Sequence, residues 1–272
     1  MDVYTPTRTV DFTDTGLWRL IIFISRRGMT AMLRHTDDPT QPLVLLFETE
    51  WETDDAHLLS RIESGIYDNP RVLEDYATDI IIRTETLTWV PTKIINENEV
   101  EETVFSTIFP TCNATPMTEC VGDMTALFAL TSGLEAFIRR TIPGARVRSH
   151  LGVLVEYMGK MTGNNTQVFV DITSGQADIL LFDKQCISAA VTHQWRAVSD
   201  IGYRICQVAE SLGLKPGQLE VSLSGLKEEC NELKDILTPI CRSVSWTVLP
   251  LENAEHIPTA AAFLAGQTRD IR

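Results

Sequence analysis

The sequence predicts an α/β protein in two lobes, each a mixed sheet with flanking helices. Three observations predict it. Short apolar runs of strand length alternate with stretches of helical spacing along the whole chain. Each half opens with three strands joined by tight turns and continues into alternating helix and strand. The 272 residues, 44% hydrophobic and 22% charged, suit one large domain or two ordinary lobes that bury a substantial core.

In the first half, residues 17–24 are a nearly continuous apolar run, as in a buried strand. Ser25-Arg26-Arg27-Gly28 reads as a turn, with Gly28 free to take a positive φ. Residues 29–35 supply the partner strand, Asp37-Asp38-Pro39 a second turn, and residues 42–48 a third strand. A helix over 54–67 follows, with Leu58, Leu59, Ile62 and Ile66 on its apolar face and Thr53 or Asp54 as its cap. Strands are expected at 79–83 and 87–90, and a helix at 100–109 with acids at its start, ended by Pro110. Residues 124–130 read as a strand. Thr131-Ser132-Gly133 then opens a helix carrying Leu134, Phe137 and Ile138, which Pro143-Gly144 stops. A strand at 146–150 and a helix at 151–161 complete the half. The turn-rich stretch 159–165 divides the chain into lobes at 1–160 and 161–272.

The second half repeats the element order. Strands are expected at 167–173, 177–182 and 186–192, with Gly175 in the first turn. Val198, Ile201, Ile205, Val208 and Leu212 recur at helical steps, and Gly213 stops that helix. A strand at 219–223 leads through Ser224-Gly225 to a helix bearing Leu226, Cys230, Leu233, Ile236, Leu237 and Ile240. Residues 243–249 are the last strand, and 251–272 form a tail without assigned structure. The likeness between the halves is one of element order, without a residue-level repeat.

Charge and composition exclude several functions. Lys plus Arg total 23 against 37 Asp plus Glu, a net charge of −14. So acidic a surface repels phosphate backbones and disfavours general nucleic-acid binding. The best basic run is Arg139, Arg140, Arg146 and Arg148, whose first pair suits a helix C-terminus. The N-terminal residues lack the basic-then-apolar order of a signal peptide, and no stretch approaches about 20 apolar residues, so a cytoplasmic protein is expected. The six cysteines include no CxxC pair and no Cys-His zinc spacing; Cys206 and Cys230 fall on apolar helix faces as core residues. Trp89 and Trp246 lie in strand-like runs and read as core, whereas Trp51, between Glu50 and Glu52, reads as a partly exposed contact residue.

A βββαβα order used twice resembles the ribonuclease H-like, actin-like ATPase superfamily. Residues 168–182, VFVDITSGQADILLF, are similar to that family's second phosphate-binding hairpin. There a strand ends in Asp-x-Gly, turn N–H groups hold phosphates, and the Asp orients Mg²⁺ and water. The resemblance places Asp171 at the acidic position and Ser174 and Gly175 in the turn. Thr173 stands where the family has Gly, and Gln176 or Ala177 near its usual Thr. The first hairpin, Phe23-Ile24-Ser25-Arg26-Arg27-Gly28, has no acid. The adenosine-side motif is reduced to Ser224 and Gly225. The chain from about Leu17 to Pro250 also resembles a bacterial family of unknown function assigned to this fold, through the segments around Phe137, Asp171, Ile205 and Gly225. Bacterial relatives of the fold include cell-division and pilus- or secretion-assembly scaffolds.

The resemblance therefore implies a degenerate actin-like scaffold, non-catalytic or only weakly nucleotide-binding, that acts through protein partners, with no catalytic residues, no metal site and no required cofactor. One alternative is a divergent ATPase, with phosphates at Ser174 and Gly175, weakly held Mg-ATP, Mg²⁺ near Asp171 and the base near Gly225. A second is a metal-dependent nuclease built on Asp171, Asp178 and Asp183, which needs several converging carboxylates. Strand alternation puts Asp178 on the face away from Ala177, and Asp183 falls at a hairpin end. None of the five histidines lies in an HxxxH or HExxH pattern.

Overall fold

The first apolar run becomes β1 (Trp18–Ser25), paired antiparallel with β2 (Gly28–His35), which pairs in turn with β3 (Val44–Glu50). The computed structural model describes residues 12–38, 40–52, 57–98, 100–251 and 256–266. Pro39 of the second turn and the expected caps Thr53 and Asp54 lie outside them. Gly28 does not take a positive φ. Its need is space: a Cβ there would lie 2.6 Å from the Thr49 carbonyl oxygen of β3.

Helix α1 (Leu58–Tyr67) buries Leu58, Ile62 and Ile66 and leads to β4 (Ala77–Ile82), which lies parallel to β1. An insert follows: β5 (Leu87–Pro91), α2 (Thr92–Asn98), α3 (Glu101–Ile108), β6 (Met117–Val121) and β7 (Met124–Phe128). Its strands make a separate sheet in the order β5-β7-β6. Neither α2 nor β6 is expected from the sequence. Then α4 (Leu134–Thr141), β8 (Arg146–Ser149) and α5 (His150–Met161) complete the pattern. The main sheet runs β3-β2-β1-β4-β8. β3 is its outer strand and ends Glu48-Thr49-Glu50, all exposed.

The second half builds β9 (Gln167–Thr173), β10 (Gln176–Asp183), β11 (Cys186–Gln194), α6 (Val198–Ser211), β12 (Glu220–Gly225), α7 (Lys227–Leu237) and β13 (Ser243–Trp246). Its sheet order is β11-β10-β9-β12-β13, strand for strand that of the first half. Gly213 takes φ +73 behind α6, as a helix C-terminal stop requires. The tail contributes α8 (Thr259–Ala265).

The chain forms two compact units. One is residues 1–152 together with the chain from Ala260; the other is Val153–Thr259. The division thus falls inside α5 rather than near residue 160, and the tail from Ala260 groups with the first unit. In each unit alternate strand residues meet helices in a core: Leu20, Ile22 and Ile24 of β1 with α1 and α4, and Val168, Val170 and Ile172 of β9 with α6 and α7. Complete burial of one such aliphatic side chain stabilises by about 1.5–3 kcal/mol. Among the described residues no helix is long and apolar enough to cross a membrane.

Candidate functional site

The face of the second sheet turned away from the α6–α7 core carries polar residues in an unbroken row. Ser224 of β12 pairs in register with Asp171 of β9, Asp171 with Asp178 of β10, and Asp178 with Thr192 of β11. Asp171 is 5% exposed and Asp178 fully buried. Two carboxylates cross-strand from each other in an apolar sheet are costly unless their oxygens are satisfied. Hydroxyls do this. Asp171 Oδ1 accepts from Ser224 Oγ at 3.0 Å and from Thr259 Oγ1 at 2.6 Å; Asp178 Oδ1 accepts from Thr192 Oγ1 at 2.6 Å. Ser224 Oγ also lies 3.3 Å from the Val170 carbonyl oxygen.

The equivalent row of the first unit follows from matching hairpin registers: Ile81, Phe23, Thr30 and Glu48. Phe23 stands where Asp171 stands, so the acid missing from the first hairpin is replaced by a buried ring.

Behind the row lies Cys230 of α7, fully buried, its Sγ 3.3 Å from the Ser224 carbonyl oxygen. Burial, then the neighbouring Asp171 and Glu229 charges, push its thiol up to about 12. It is a core thiol, as expected.

The turn after β9 places the other residues singled out from the sequence. Thr173 is half-buried and donates from Oγ1 to the Gln176 carbonyl at 3.2 Å; Ser174 is exposed; Gly175 takes φ +76. Trp195, just beyond β11, closes this turn. Its backbone N–H donates to the Gly175 carbonyl at 3.1 Å and its indole N–H to the Thr173 carbonyl at 3.2 Å. Gly225 lies in register with Ile172, at φ +98, and a Cβ there would overlap the Ile172 carbonyl oxygen. Its glycine is thus required by the approach of β12 to β9. Asp171 and Ser224 are brought together, whereas Thr173, Ser174 and Gly175 form a separate surface turn. Asp178 was singled out only as a member of a metal-binding cluster with Asp183; Thr259, Thr192 and Trp195 are the participants that sequence reasoning missed. The one available signal was a pair of acids inside the otherwise apolar strands VFVDI and ADILLF.

The other candidates come apart. Asp183 ends β10 and accepts from Thr166 Oγ1 at 3.1 Å, and among the described residues no three acid, His or Cys side chains could hold a metal ion. In the basic run, Arg139 pairs with Glu135, Arg140 lies 4.0 Å from Glu63, and Arg148 is buried on Glu119. Trp246 is 41% exposed on the edge strand β13 rather than in the core, and Trp89 is half-buried. Trp51 is also half-buried, and its indole donates to the Arg26 carbonyl at 3.0 Å.

Residues 8–244 match the profile of a single protein family. The chain belongs to DUF3822, a family of proteins of unknown function. This DUF3822 chain is similar to a solved Bacteroides thetaiotaomicron protein with an actin-like ATPase fold and unknown function. The two are 20% identical over 94% of this chain and 99% of that one, with a TM-score of 0.79. It is also similar to a chain of the PilM-PilN type IV pilus biogenesis complex, 11% identical over 91% of this chain and 96% of that one, with a TM-score of 0.52. No curated protein matches the sequence. The fold of this DUF3822 protein is therefore the actin-like ATPase fold, with a mixed sheet in each unit.

Proposed function

We propose that this protein is a degenerate actin-like scaffold of the cytoplasm, working through protein partners rather than by hydrolysing a nucleotide. The observation that carries the reading is the state of Asp171. Its carboxylate is buried, and Oδ1 already accepts two hydroxyls, from Ser224 and Thr259. An acid that orients Mg²⁺ and water must present its oxygens to them. In the first unit the matching position is Phe23, which cannot do so at all. Likeness in fold to a chain solved within the PilM-PilN complex supports partner binding as a use for this framework.

Thermal unfolding with and without millimolar Mg-ATP or Mg-ADP tests this. A nucleotide at about 100 times its Kd would add about 2.7 kcal/mol. At about 2–4 °C per kcal/mol for a protein of this size, Tm would rise by several degrees. The expected result is no shift. A shift of several degrees that Asp171→Ala abolishes would overturn the scaffold reading and favour the divergent ATPase, with phosphates at Ser174 and Gly175.

A further inference from the structure

A buried ion pair joins the insert to the end of β8, where the chain enters α5. Glu119 lies on β6 in the same row as Ala126 and Trp89. Its carboxylate is almost fully buried, and Oε1 accepts from Arg148 Nε at 2.7 Å. Oε2 accepts from both the backbone N–H and the hydroxyl of Ser149, each at 2.8 Å. The Ser149 Oγ in turn accepts from the Gly152 N–H at 2.9 Å.

These bonds reproduce a helix capping box with one member replaced. In the ordinary motif the N-cap hydroxyl takes the N–H of the third helical residue, whose own Glu or Gln reaches back to the N-cap backbone. Here Ser149 is the N-cap of α5, and the third residue is Gly152, which has no side chain. A Cβ at Gly152 would overlap Glu119 Oε2. The missing carboxylate is supplied instead by a strand of another sheet, and glycine leaves the room for it.

We infer that Glu119 is a positioning residue, a cap supplied by the insert, which makes the first turn of α5 and the strands β6 and β7 gain and lose order together. The insert has its own apolar centre of Val90, Ile95, Phe105, Leu127 and Ala129, and its strands are not hydrogen-bonded into the main sheet; it meets the core of β1, α1 and α4 through Phe128, Leu87 and Met117. Whatever distorts β6 withdraws the carboxylate from Ser149 and is felt at α5.

Coupling of this kind is reciprocal, and reciprocity is the test. Peptide-level hydrogen exchange is measured on the full chain, on Glu119→Gln and on Ser149→Ala. Glu119→Gln keeps the size of the side chain and removes its charge; Ser149→Ala leaves the Glu119–Arg148 pair in place. Each variant is expected to raise exchange at least about tenfold both at residues 149–152 and in β6–β7, with β9 and β10 unchanged. Faster exchange confined to the side that carries the substitution would overturn the inference. So would a uniform rise that includes β9 and β10, because Glu119 would then be a general stabilising residue.

Discussion

Trp195 occupies in the second unit the place that Trp51 occupies in the first. Each follows the third strand of its sheet, and each donates its backbone N–H into the first hairpin turn: Trp51 to the Arg27 carbonyl at 2.9 Å, Trp195 to that of Gly175 at 3.1 Å. Each indole N–H takes a further carbonyl of the same turn, Arg26 in one case and Thr173 in the other. The hydroxyl that opens each turn is also matched, since Ser25 Oγ and Thr173 Oγ1 both donate across the turn at 3.2 Å. The likeness between the units thus extends beyond element order to the residues that close this one turn.

Replacing either tryptophan with Phe keeps most of the ring packing and removes one donor. Trp51→Phe and Trp195→Phe should each cost about 1 kcal/mol, the net worth of a protein hydrogen bond. Thermal unfolding reads this as about 2–4 °C per variant. A neutral result in both would mean that the indole bonds contribute nothing to holding the turns.

Gly225 and Gly213 both have positive φ, +98 and +73, but their surroundings differ. Nothing lies within 4 Å of a Cβ at Gly213, whereas one at Gly225 meets the backbone of Ile172. Gly213→Ala should cost about 1 kcal/mol through backbone strain alone. Gly225→Ala should cost about 3 kcal/mol or more, because strain and overlap combine. Urea midpoints compare the two; equal costs would contradict the close pairing of β12 with β9.

Asp171→Ala strands the buried Thr259 hydroxyl and leaves that of Ser224 with only the Val170 carbonyl, and should destabilise by about 1–3 kcal/mol. Asp171→Asn keeps an oxygen acceptor and should lose less. If Asn and Ala are equally costly in thermal unfolding, the hydroxyl bonds are not what stabilises the side chain.

Cys230 sets a pH dependence whose sign can be worked out. Its thiol titrates near 9.0 in the unfolded chain and is pushed up to about 12 in the fold. The unfolded state therefore releases its proton first as pH rises. The stability contributed by the neutral thiol is whole below pH 9 and is lost progressively towards about 12. Cys230→Ala should flatten that alkaline decline in urea midpoints measured from pH 8 to 11. In the native protein at pH 8, iodoacetamide should label exposed Cys120 and Cys186 and spare Cys230, as peptide mass spectrometry would show.

The strands of the second unit were legible because they are apolar, bounded by turn residues and regular: β9 spans the expected residues 167–173. The insert was harder. Helix α2 is short, and β6, MTECV, buries only Cys120's neighbour Glu119, so neither carries a periodic apolar signal. The acid of β6 reads locally as a surface residue, and only Arg148 and Ser149, distant in sequence, make it a buried one. Asp171 was recognisable as an acid in an apolar strand, but its partner Thr259 lies 88 residues away in a tail with no pattern of its own. The likeness of the two tryptophans was hidden by spacing. The second and third strands are joined by only Lys184 and Gln185 in one unit and by a much longer segment from Thr36 in the other, so a linear comparison slips out of phase.

The outer strand β3 has a bearing on how the molecule behaves at high concentration. An open strand edge is a template on which another chain can add. This one ends Glu48-Thr49-Glu50, exposed, on a chain that carries −14 overall. Two molecules approaching edge to edge along β3 would bring four carboxylates together before any backbone hydrogen bond could form. Like charges set against one another in this way oppose sheet-to-sheet stacking most at low ionic strength. Added salt weakens that opposition, so resistance to self-association along this edge is a property of the buffer as much as of the sequence.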